Sequence, residues 1–229
     1  MKIAWNSVIG ALRNWRTAAK YVGFGAGVRR GAIVDGCTLS DFLDSRASHV
    51  AQTSLYGYLK TRSGTRFPQL FEHSEYLKSI NIAKWQVWLA ALSDIAIYAG
   101  GLIHRRSSAS AEDVGRIVSR VINDIFVRTG IPDEAGPDFV TQIQRVKARI
   151  ASCDWASIED DESAFSSSPA ALIEWAPVID EFKQRDNEIV RNSVRFRWIE
   201  VRRSLRADLK AEELVAAEST VAESGGSAA

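Results

Sequence analysis

WQVWLAALSDIAIYAGGLIHRR, Trp85 to Arg106, reads either as a membrane span or as the buried centre of a helical bundle. Trp85 to Ile103 is long enough to cross a bilayer core at about 1.5 Å per residue, and His104, Arg105 and Arg106 would form a cationic flank. Asp94 argues against a span, because a charge at the centre of a spanning helix costs about 2.5 to 3.5 kcal/mol on insertion scales. On a helical projection Trp88, Leu89, Leu92, Ile95, Ala96, Ala99, Leu102 and Ile103 form a broad apolar arc. Gln86, Ala90, Ser93, Asp94 and Gly101 fall in a narrow polar or small seam. The pattern predicts a central core helix whose seam admits a close neighbour and supplies Asp94 with a hydrogen-bonding or cationic partner.

Beyond Arg106, SSASAEDVGRIVSRVINDIFVRTGIPDEAGP predicts a helix capped at Ser110 with core positions Val114, Ile117, Val118, Val121, Ile122 and Ile125, stopped by Gly130 and Pro132. A short helix follows from Pro137 to Ala151, then the acidic, serine-rich connector CDWASIEDDESAFSSSP. Ser168 before Pro169 reads as an N-cap with proline at the first helical position, and Pro177 kinks that helix or opens a longer one running to about Leu209. This last helix has two apolar stripes. Val178, Phe182, Ile189 and Phe196 form one, and Val194, Trp198, Val201, Leu205 and Leu209 the other, so it wraps a curved surface or packs against two different things. Residues 211–229 are small and polar and are expected to be a disordered tail.

On the other side of Trp85, Thr38 or Ser40 serves as an N-cap, and Leu39, Phe42, Leu43, Ala47, Val50, Ala51, Leu55 and Tyr58 keep helical spacing through Lys60. TRSGTRFP reads as a loop, leading through a short helical stretch at Gln69 to Leu77 into the apolar segment. No segment alternates with the period of a strand, and nothing repeats. The expected fold is all-α, an irregular bundle of about six to eight helices with a central apolar helix and a long C-terminal one.

Residues 1–34 stand apart as a cationic N-terminal segment. Trp5, Val8, Leu12, Trp15 and Ala19 make an apolar stripe, beside a cationic arc of Lys2, Arg13, Arg16 and Lys20, and the first acid in the chain is Asp35. Trp5, Leu12 and Trp15 thus form a candidate surface for an anionic membrane or a partner protein. The same features also fit a removable transit segment, whereas the arginines interrupt any secretory signal. The Gly-rich connector after it has no strand before it, which argues against a dinucleotide fingerprint. The helical domain is expected over residues 35–210.

The 229 residues fit one or two domains, and 46% hydrophobic against 25% charged content excludes bulk disorder. Two cysteines, Cys37 and Cys153, make neither a disulfide scaffold nor a zinc site and suit a reducing compartment. A net charge of +1 and the lack of a nucleic-acid motif make DNA or RNA a poor partner.

Two basic constellations are candidate anion or partner sites. In KTRSGTR, Lys60, Arg62 and Arg66 surround hydroxyls and a glycine after a helix end. Arg191, Arg195, Arg202 and Arg206 share a narrow arc of the long helix, with Glu188 and Glu200 near enough to neutralise part of it. His49, His73 and His104 lack the paired spacing of a metal site, no GxSxG elbow is present, and neither metal nor cofactor is expected. A serine hydrolase of esterase type would have to join Ser48 or Ser54, near His49, to a carboxylate brought by folding. The leading expectation is a non-enzymatic helical interaction protein, an accessory or assembly subunit in the cytoplasm or at the inner face of a membrane. Its partner would be an apolar protein surface, an anionic membrane or a second copy; the alternative is the esterase-like hydrolase.

Overall fold

The computed structural model describes residues 31–226, which are folded as an all-α bundle. Its helices are α1 (Gly36–Ser63), α2 (Ser74–Arg106), α3 (Ala111–Thr129), α4 (Phe139–Ala151), α5 (Ser167–Trp175), α6 (Asp180–Asp208) and α7 (Ala211–Gly226). A 3-10 helix, Gly64–Glu72, joins α1 to α2, and a 3-10 turn, Trp155–Ser157, lies in the connector after α4.

α1 starts earlier than the spacing indicates. Asp35 is the N-cap, accepting the Thr38 N–H at 2.8 Å, while the Thr38 hydroxyl oxygen accepts the Asp35 N–H at 3.2 Å. Thr38 therefore closes a capping box from its third helical position and is not itself the cap. The helix runs past Lys60 to Ser63 and stops at Gly64, whose φ of 52° favours glycine. The stretch expected as a loop is thus the end of α1 followed by the 3-10 segment.

α2 is the axis of the bundle and packs against α1, α3, α4 and α5. By length and composition it is able to cross a membrane, but 89% of its apolar window is buried inside the fold. Asp94 is fully buried there, and its expected partners are present. Arg149 of α4 donates to Oδ1 at 2.7 Å, and the Ser168 N–H and hydroxyl donate to Oδ2, both at 2.7 Å. The Ser167 N–H donates to Oδ1 at 3.1 Å, so the Asp94 carboxylate caps α5 from another helix. Ser168 is buried inside the first turn of α5 and receives the Trp198 indole N–H of α6 at 3.0 Å.

The glycine end of α2 is filled by the connector and not by a helix. A Cβ on Gly100 would run into the Trp155 ring, and one on Gly101 into Ile158. Trp155 and Phe165 are buried, so the polar run 153–168 contributes two aromatics to the core.

The chain ends differ from expectation as well. Ile33 is buried and forms an isolated bridge with Leu209, donating its N–H to Asp208 at 2.8 Å and accepting from Lys210 at 3.0 Å. The folded body therefore includes the last residues of the Gly-rich connector. Residues 211–226, expected to be disordered, form α7. Leu214 is fully buried, and Glu218 pairs with Arg120 of α3 and accepts the Gly36 N–H at 2.9 Å. The stripe Trp5, Leu12 and Trp15 lies outside the described residues.

Candidate functional site: the long C-terminal helix and its cleft

The two stripes of α6 have different fates. Val194, Trp198 and Leu205 are fully buried against the bundle, with Val201 and Leu209 nearly so. Ile189 and Phe196 on the other stripe are each 72% exposed, and Ile199 beside them is 41% exposed. Phe182, one turn of the pattern earlier, is half-buried, with the Arg62 and Arg185 guanidinium groups each 5.0 Å from its ring centre. α6 thus packs on its own domain with one face and leaves an apolar row on the other.

Between α1 and α6, with Leu172 of α5 in its lining, lies a cleft of about 310 Å³. Asp186 is buried in it and fully engaged. Arg62 Nη2 donates to Oδ1 at 2.6 Å, Arg62 Nε lies 2.6 Å from Oδ2, and the Tyr58 hydroxyl donates to Oδ2 at 3.1 Å. Burial and the Asp186 hydrogen bond push the Tyr58 phenol up to about 12. Arg197, from the next turns of α6, donates its Nε–H to the buried Ser54 hydroxyl at 3.1 Å and Nη2–H to the Thr53 carbonyl at 3.3 Å. Burial lowers the Arg197 pKa, since the charged form is partly stripped of water.

The basic constellations divide along these lines. Arg62 is turned into the cleft against Asp186, while Lys60 and Arg66 are exposed and do not converge with it. On α6, Arg191 donates to Asn187 at 2.6 Å, Arg206 pairs with Asp160 at 3.2 Å, and Arg202 lies over the Phe165 ring at 6.0 Å. Glu200 is taken by Arg203 at 3.1 Å. Of the expected cationic ridge, only Arg195 is both exposed and without a hydrogen bond or ion pair among the described residues.

Among the described residues the candidate serines are engaged with groups other than the histidines. Ser54 serves Arg197, Ser48 donates to Asp44 at 3.5 Å, and no serine hydroxyl bonds His49 or His73 among the described residues. Burial, followed by the Arg46 and Arg197 charges, holds the His49 imidazole below its ordinary range. No group of three or more metal-ligating side chains occurs among the described residues.

Arg197, Asp186 and Tyr58 were missing from the sequence-based candidates. On α6, Asp186 interrupts the apolar stripe at a position that becomes buried, a faint signal of a polar partner. Compared with protein-family models, curated proteins and solved structures, the chain matches none of them.

Proposed function

We propose that the protein is a non-enzymatic helical interaction subunit that associates through the outer face of α6 with a second copy of itself. The observation that carries this reading is the exposed apolar row on a helix whose opposite face is already seated. Phe182, Ile189 and Phe196 are spaced seven residues apart, so the row is symmetric about Ile189. A two-fold axis at Ile189 sets two antiparallel α6 helices together with Ile189 on Ile189 and each Phe182 on the other copy's Phe196. Glu181 and Arg195 each precede one of those phenylalanines on the same flank, so the same arrangement brings them together twice. Glu188 of the two copies meets near the axis, with Arg191 and Arg195 on that flank to offset the like charges.

Sedimentation equilibrium on the full chain tests the proposal. A dimer that becomes monomeric in Ile189→Asp, with the thermal transition of the exposed-site variant unchanged, supports it. A wild-type monomer at high micromolar concentration overturns it and returns the row to a different protein or to a lipid surface.

The peripheral-membrane reading is proposed on the sequence of residues 1–30, which contain two tryptophans and several basic residues but no Asp or Glu. Its support is the coincidence of an apolar stripe with a one-signed charge.

A further inference from the structure

The geometry points to the α1–α6 cleft as a binding site for a small organic carboxylate, with Arg197 gripping the carboxylate and the apolar wall taking a short hydrocarbon tail. A guanidinium carries five N–H donors. Two of those on Arg197 are held by the Ser54 hydroxyl and the Thr53 carbonyl, which fixes its plane against α1 and leaves three for a ligand. Gly57 makes room for this placement, because a Cβ there would stand 3.2 Å from Arg197 Nη2.

The charge of the cleft is unbalanced in favour of an anion. Asp186 is saturated by Arg62 and Tyr58, so that pair is neutral as a unit. Arg197 has no ion-pair partner among the described residues. A half-buried cation held by neutral groups alone favours a charge-assisted bond to an incoming carboxylate. Leu172, Ile189 and Val190 line the same space and give it the mixed character of a small-molecule pocket. A purely hydrated anion would leave those side chains unused, whereas a carboxylate with a tail of a few carbons covers them. Ser193, on the rim one turn before Arg197, is exposed and makes no hydrogen bond of its own among the described residues.

The test is a titration of the full chain with hexanoate, acetate and inorganic phosphate at constant ionic strength, followed by heteronuclear NMR at the Arg197 Nε–H and the Gly57 amide. The expected result is saturable binding of hexanoate, at least about tenfold tighter than acetate because of its additional methylenes. Ser193→Glu puts a carboxylate four residues before Arg197, a favourable helical pairing, and should abolish hexanoate binding while leaving the fold intact. Arg197→Lys, which keeps the charge and loses the planar fork, should weaken it about tenfold or more. Absence of saturation by hexanoate in the wild type, or undiminished binding in a folded Ser193→Glu protein, overturns the site. Phosphate binding as tightly as hexanoate overturns the assignment of an apolar tail. Ile189 lines this space and also stands on the exposed α6 row, so the oligomeric state is measured in the same titration to keep the two readings distinguishable.

Discussion

The side chain of Asp94, at the middle of α2, accepts the backbone N–H of Ser168 at 2.7 Å, so the central helix supplies the N-terminal cap of α5. Arg149 approaches the other oxygen and also donates to the Ser93 and Ser167 hydroxyls at 2.9 and 2.8 Å. Burial pushes the Asp94 carboxyl up, and Arg149 and the Ser168 N–H pull against that shift. Three helices are thereby fixed to one carboxylate.

Replacing Asp94 by Ala leaves the Arg149 charge and two helix-end amides without their acceptor. Breaking a buried pair of this type costs about 3 to 5 kcal/mol, and urea denaturation should show a loss of that order. A change below about 1 kcal/mol would mean that water replaces the carboxylate without difficulty.

Gly100→Ala adds a methyl group where the Trp155 ring lies. Overpacking of this kind costs about 1 to 3 kcal/mol, with Trp155→Leu expected to relieve part of it. Chemical denaturation of the two single variants and the double variant measures the coupling between them; strict additivity would place Trp155 away from the glycine.

Removal of residues 211–229 takes away Leu214 and the Glu218 acceptor at the start of α1. The truncated chain should lose several kcal/mol, most of it from the buried leucine, with a smaller part from an ion pair whose arginine is exposed to water. Glu218→Gln isolates the electrostatic part, and a truncation with an unchanged denaturation midpoint would detach α7 from the core.

His49 gives the fold a pH dependence whose sign follows from its environment. Its folded pKa lies below the ordinary 6.5, through burial first and then Arg46 and Arg197, so the unfolded chain binds the proton more readily. The stability it supports is fully present above about pH 6.5 and declines as pH falls through the folded value. His49→Gln should flatten that limb of a stability-against-pH curve, and an identical curve in the variant would assign the slope to other groups.

Mixing the intact chain with anionic vesicles at rising salt tests residues 1–30. Flotation at low salt that weakens as charges are screened, and that is lost when residues 1–30 are removed, supports surface binding. No flotation at low salt removes the membrane reading. Cutting at residue 30 spares Ile33, which belongs to the folded body.

Periodic positions were the legible part of this chain. Ser110 caps α3 as its sequence indicates, accepting the Asp113 N–H at 3.1 Å, and the seam of α2 foretold a partnered Asp94. Trp155 and Phe165 could not be read as core, because single aromatics in a polar run have no period to assign them a face. α7 is not legible in the sequence because it is made of small and acidic residues, and its place depends on Leu214 and Glu218 reaching distant helices. The cleft was hidden for a related reason: Ser54 and Arg197 come from opposite ends of the chain, and only folding puts them 3.1 Å apart. The two stripes of α6 were visible from spacing, but which of them would face the bundle was not.

The bridge between Ile33 and Leu209 also sets an order of events during synthesis. Among the described helices α1 emerges from the ribosome first, yet its flanking residue Ile33 needs Asp208 and Lys210, and its first-turn Gly36 needs Glu218. These contacts span nearly the whole described chain, so they form only after the last helices are released. Until then the edge at Ile33 stays open, and a chain lacking everything after residue 200 should be cleaved by protease around Ile33 while α2, closed by its neighbours, resists.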